Sequence, residues 1–76
     1  MPLNQRQAAQ LKAFGDNVRR LRMRKKITQE RLAEKTGLDR MTIAFVESGR
    51  RWPRIDTLNR LAKGLGVSIE DLFKGL

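Results

Sequence analysis

The stretch that decides the fold runs from Thr28 to Gly49 and reads TQERLAEKTGLDRMTIAFVESG. Thr28 is a good helix amino-terminal cap, because its hydroxyl can accept from a backbone N–H that the first helical turn leaves without a partner. Gln29 to Thr36 then carry Leu32 and Ala33 on one side, and Gly37 permits the left-handed turn that ends such a helix. Asp39 is a second cap, after which Arg40 to Ser48 form another helix closed by Gly49. Two short helices therefore meet across a tight turn. Ala33 is small enough to let them cross closely, and Ile43 fills the core they share.

Toward the amino terminus, Leu11, Phe14, Val18 and Leu21 recur at helical spacing and predict a first helix from the cap Asn4 to Lys26. Arg22 falls inside that apolar stripe and requires a buried or half-buried partner, whereas Arg19, Arg20 and Arg24 project in other directions. Glu47 occupies the inward face of the third helix in the same way, so the two charges are expected to pair as an architectural salt bridge. Toward the carboxy terminus, Arg50, Arg51, Trp52, Pro53 and Arg54 predict an ordered surface loop, with the proline holding Trp52 extended. Trp52 is open to two readings, packing beneath that loop, which is the expectation, or resting its indole against a sugar-phosphate backbone. Ile55, Leu58, Leu61, Ala62 and Leu65 give an amphipathic fourth helix stopped at Gly66, and Ser68 caps a last turn or two carrying Ile69, Leu72 and Phe73. The fold class is all-α: a compact five-helix domain over residues 1–76, with helices 2 and 3 as a helix-turn-helix and no strand pattern, repeat or long linker.

The chain has 76 residues, which suits one core. A domain of this size buries about 60% of the surface its unfolded chain exposes and supplies about 3 to 5 kcal/mol from that core, so dimerisation would add needed stability. With no cysteine and no histidine, there are no disulfides, thiolate nucleophiles or imidazole bases, and nearly every structural zinc arrangement is excluded. The 8 acidic residues include no paired carboxylates, phosphate-binding glycine loop or nucleophile elbow. The expectation is a protein that is not an enzyme and takes no cofactor or metal. Its 17 Lys and Arg leave a net charge of +9, which suits a polyanionic partner. No apolar run approaches the roughly 18 residues of a membrane span, and no hydrophobic leader opens the chain, so a soluble cytoplasmic protein is expected.

These residues resemble the XRE family, the phage Cro and repressor type of helix-turn-helix domain. The likeness rests on Thr28-Gln29-Glu30-Arg31-Leu32-Ala33, Gly37, Ile43, Glu47-Ser48-Gly49 and Leu61-Ala62-Lys63-Gly64-Leu65-Gly66-Val67-Ser68. It spans Phe14 to Phe73, with residues 1–13 as an extension of the first helix, and it is similar to small single-domain restriction-modification controller proteins. The resemblance implies double-stranded DNA as partner. It puts Arg40, Met41, Ala44 and Phe45 at the positions the family presents to base edges, with Thr42 within reach of a phosphate or base. It matches Gln29 to the family's phosphate-clamping glutamine, and it implies the same Arg22 to Glu47 bridge. Three departures stand out: Arg31 where a glutamate often completes the capping box, Arg54 in place of the hydroxyl cap of helix 4, and Met41 and Phe45 less polar than common readers.

The residues themselves support this reading. Ile43 and Val46 define the inward face of helix 3, which leaves Met41 and Phe45 on nearly the opposite side. In a major groove such side chains meet thymine methyl groups, and Arg40 can donate two hydrogen bonds to guanine. Arg50, Arg51 and Arg54 are assigned to phosphates, because a cation at the start of helix 4 is disfavoured by the helix dipole unless an anion lies nearby. Val67, Ile69, Leu72 and Phe73 are the expected homodimer interface, and two-fold symmetry then requires a pseudo-palindromic operator. Rival readings are an antitoxin that also holds a toxin, and a coactivator or adaptor with Met41 and Phe45 as protein anchors, in contact with RNA polymerase. Membrane-surface binding through the basic residues of helix 1 conflicts with the use of its apolar face in the core.

Overall fold

The computed structural model describes residues 2–76. Five α-helices follow in order, α1 Gln5–Arg24, α2 Gln29–Thr36, α3 Arg40–Glu47, α4 Ile55–Leu65 and α5 Ile69–Leu72, and no strand occurs among the described residues. Four of the five starts are set by a local side chain. The Asn4, Thr28, Asp39 and Ser68 side chains accept from the backbone N–H three residues on, as hydroxyl and carboxamide or carboxylate caps do. At α4 the capping residue is Arg54, and no side chain satisfies the first turn.

α1 ends two residues earlier than its pattern predicted. Lys26 takes a left-handed conformation with φ 59°, and the Ile27 N–H donates back to the Arg22 carbonyl, a closure more often made by glycine. With lysine in that place, the sequence carries no stop signal.

α1 packs on α3 and α5, α2 on α3 and α4, and α4 on α5. Phe14, Val18, Leu32, Ile43, Leu61, Leu65 and Leu72 lie at the centre of one shared core. Leu11, on the part of α1 that precedes Phe14, is 1% exposed and buried as its place in the apolar stripe predicts. Two helix-interior glycines set the closest approaches. A Cβ on Gly15 would lie 2.6 Å from the Val46 carbonyl oxygen and 2.8 Å from that of Glu47, and one on Gly64 would lie 2.5 Å from Thr36 Cγ2. α1 is thereby seated against the carboxy-terminal end of α3, and α4 against that of α2.

The carboxy-terminal segment folds back on α1. The buried Asn17 side chain donates to the carbonyls of Leu72 and Lys74 at 3.2 and 2.8 Å. Trp52 sits 5.3 Å from the Phe14 ring and 6.2 Å from Phe73, and the Phe14 and Phe73 rings are 4.9 Å apart. The loop after α3 is therefore anchored by an aromatic cluster in which Trp52 packs on Phe14 and Phe73 while staying partly exposed. Ile55 differs from its expected place: it is 70% exposed, because the first residue of α4 overhangs the core that Leu58, Leu61 and Leu65 fill.

Candidate nucleic-acid interface

Asp39 starts α3 by accepting from the Thr42 N–H at 2.9 Å, and this sets the rotation of the helix. Ile43 and Val46 turn inward, and Arg40, Met41, Thr42, Ala44 and Phe45 are left at or near the surface. Met41 is 54% exposed, while Thr42, Ala44 and Phe45 are half-buried. Phe45 is less open than the helix pattern alone predicts, because the following loop returns along it. The Arg50 guanidinium lies 5.9 Å from the centre of its ring, within cation–π range.

Thr42, Phe45, Arg51 and Arg54 line one cleft of about 630 Å³ between α3, the loop and α4. The structure thus brings the apolar face of α3 together with the basic loop. Arg60 lines the same cleft. Its helical pattern gave no sign of this, and its Nη1 donates to the Thr36 carbonyl at 3.2 Å, a cation satisfying the end of α2. Arg54 pairs with Asp56 in the first turn of α4, Nε to Oδ1 3.4 Å. Asp56 thus already supplies an anion to Arg54, and the helix dipole does not by itself require a phosphate there. Arg50 and Arg51 enter no ion pair among the described residues.

The amino-terminal end of α2 is held beside this surface by one hydrogen-bonded group. Arg22 donates from Nε to Glu47 Oε2 at 2.6 Å and from Nη2 to Oε1 at 3.0 Å, and from Nη1 to the Ile27 carbonyl at 2.8 Å. Its side chain is 13% exposed and that of Glu47 4%. The Glu47 hydrogen bond raises the Arg22 pKa above its ordinary value, against a lowering by burial. Gln29 Nε2 donates to Glu47 Oε1 at 3.2 Å, which leaves its second amide proton free. The Thr28 hydroxyl accepts from the Arg31 N–H at 3.0 Å, so the backbone N–H groups of Gln29 and Glu30 remain open to an anion. The Thr42 hydroxyl donates to Asp39 Oδ1 at 3.2 Å, so in this state it has only acceptor capacity to offer.

On the same face, Arg40 Nε lies 3.9 Å from Glu30 Oε2 of α2. This cross-helix pair could not be read from spacing within either helix.

The expected self-association residues divide. Ile69 is 37% exposed, while Leu72 is 0% exposed. Leu72 is corrected to a core residue, because the fold-back onto α1 encloses it. Val67 and Phe73 are half-buried, and the Phe73 ring packs against Phe14 and Trp52 in the aromatic cluster. Ile55, the most exposed of the large apolar residues among those described, lies at the surface although its place in the helical pattern puts it inward. No helix among the described residues is long and apolar enough to cross a membrane.

The profile of the helix-turn-helix family matches residues 18–72. Control protein C.BamHI of Bacillus amyloliquefaciens is 38% identical over 61 residues, 79% of this chain and 75% of that protein. The HTH-type transcriptional activator BcrR of Enterococcus faecalis is 36% identical over 62 residues, 82% of this chain but 30% of BcrR. Among solved structures, the restriction-modification controller protein C.AhdI from Aeromonas hydrophila superimposes with a TM-score of 0.83 at 38% identity, covering 86% of this chain and 98% of that one.

Proposed function

Since the chain belongs to the helix-turn-helix family, of the XRE type, we propose that it is a sequence-specific DNA-binding regulator of transcription that acts as a homodimer on a pseudo-palindromic operator. The observation that carries this reading is the outward row of α3 set beside unpaired arginines, one of which lies over Phe45. Arg40 reads guanine, Met41, Ala44 and Phe45 meet apolar base edges, and Thr42 accepts from a base or a bridging water. Gln29 and the open N–H groups of α2 hold one phosphate, and Arg50, Arg51 and Arg54 hold others. Arg54 exchanges Asp56 for phosphate, or shares itself between them.

Likeness to C.AhdI over nearly its whole length, and to C.BamHI over most of its own, supports a restriction-modification controller over an antitoxin or a phage repressor. Val67, Ile69 and Phe73, with Ile55 in place of Leu72, supply the apolar surface for the dimer. The protein measures 32 × 23 × 20 Å, so two copies side by side suit half-sites about 34 to 36 Å apart. As part of the same proposal, the protein works in the cytoplasm without cofactor or catalysis, and RNA polymerase is the further partner expected of an activating controller. The test is selection of bound sites from random duplexes, repeated with Arg40→Ala. A symmetric motif that relaxes at one base pair per half-site by about 1–3 kcal/mol is expected; selection of no motif overturns the reading.

A further inference from the structure

Glu30 works against the charge of the face it stands on. The chain carries 17 basic and 8 acidic residues, and this acid occupies the first turn of α2, beside Gln29 and against the start of α3. A carboxylate brought up to a phosphate backbone costs affinity by like-charge repulsion. Its structural work there is modest: Thr28 alone caps α2, the helix dipole and a longer-range pull from Arg22 favour an acid in this turn, and an exposed ion pair contributes little to stability. The carboxylate's one direct ion pair crosses to α3, where its oxygen lies 3.9 Å from Arg40 Nε, beyond hydrogen-bond length.

We propose that Glu30 is a positioning residue for base reading, holding Arg40 through Nε so that the two outer nitrogens of the guanidinium face the edge of a guanine. Bidentate recognition of guanine O6 and N7 needs two parallel donors, and a carboxylate on the inner nitrogen leaves Nη1 and Nη2 free to supply them. In the free protein the pair is screened, since the side chains of Arg40 and Glu30 are 53% and 69% exposed. When DNA covers α3, water leaves and the attraction strengthens as the local dielectric falls. An arginine held in this way does not swing to the nearest phosphate, which is present at every sequence. Glu30 thereby trades general affinity for discrimination.

This inference rests on α3 being the base-reading helix, and the experiment separates the two. Wild type, Glu30→Gln, Arg40→Ala and the double variant are titrated, at one salt concentration, against the selected site, the same site with the Arg40-dependent base pair exchanged, and a random duplex. Wild type is expected to discriminate at that pair by about 5- to 150-fold. Glu30→Gln is expected to lower that ratio at least about threefold, leave the other base pairs unchanged and bind the random duplex more tightly. In the Arg40→Ala background the same change is expected to leave discrimination at that pair unaltered. Unchanged discrimination in Glu30→Gln, an equal loss at every base pair, or a loss that persists without Arg40 overturns the positioning role, the last by making Glu30 a reader itself. Full discrimination in Arg40→Ala overturns the base-reading assignment beneath it.

Discussion

Replacing Glu47 with alanine removes the acceptor of three hydrogen bonds, two from Arg22 and one from Gln29. The Arg22 guanidinium would keep the Ile27 carbonyl as its partner, in a place where its side chain is only 13% exposed. Breaking one side of a buried ion pair costs about 3–5 kcal/mol, and the edge of Arg22 that meets water lowers this to about 2–4 kcal/mol on the same scale. A chain of this length has about 4–11 kcal/mol of stability in total. The melting temperature, followed by helical circular dichroism, is therefore expected to fall by about 10 to 30 °C. A fall of less than about 3 °C, equivalent to under 1 kcal/mol, refutes the reasoning. The double variant Arg22→Met with Glu47→Leu is expected to recover most of the loss, because no charge is then left buried alone. From the arginine side the effect has little pH dependence. The folded-state pKa of Arg22 is raised, so its contribution is complete below the unfolded value and is lost only as pH rises through the folded one, well above neutrality. DNA affinity falls as well, even at temperatures where the variant is folded, since Gln29 loses the group that orients it.

Gly15→Ala would stabilise an isolated helix by about 1 kcal/mol, but here the added methyl meets two carbonyl oxygens of α3; a net loss of about 1–2 kcal/mol in urea unfolding is expected, and a gain would show that α1 can move. Replacing Arg50, Arg51 and Arg54 by alanine one at a time is expected to weaken binding to all sequences alike, and each phosphate left without its cation lowers the slope of log affinity against log salt by about 0.9. An unchanged slope removes that arginine from the residues that hold the DNA backbone. Ile69→Glu is expected to turn a dimer into a monomer in sedimentation at micromolar concentration, and a wild type that is itself monomeric there removes the self-association proposal.

The legible parts of this protein were those fixed within a few residues of chain. Thr28, Asp39 and Ser68 cap helices because a short polar side chain reaches a backbone N–H three residues away, and that reach needs no tertiary context. The pairing of Arg22 with Glu47 was legible for another reason: a charge on an apolar stripe must find a partner, and only one inward acid was available. Helical periodicity cannot tell where a core ends along a helix, which is why Ile55 was counted inside and Leu72 outside. Whether a residue overhangs or is enclosed depends on what folds back over it, and Asn17 makes that decision for Leu72 from 55 residues away. Arg60 at the end of α2 and Glu30 beside Arg40 act between helices, invisible to any pattern within one. Gly15 and Gly64 did carry a signal. A glycine inside a strong helical pattern marks a close approach, though only the structure names the surface approached.

Trp52 is the chain's single tryptophan, and it is 39% exposed while resting against Phe14 and Phe73. It joins the arginine-bearing loop to the interior, with one edge in solvent. The protein therefore has a built-in fluorophore where the arginine-bearing loop joins the core, whose emission is expected to register both denaturation and, on the proposed reading, the seating of a duplex against the loop, with no dye attached.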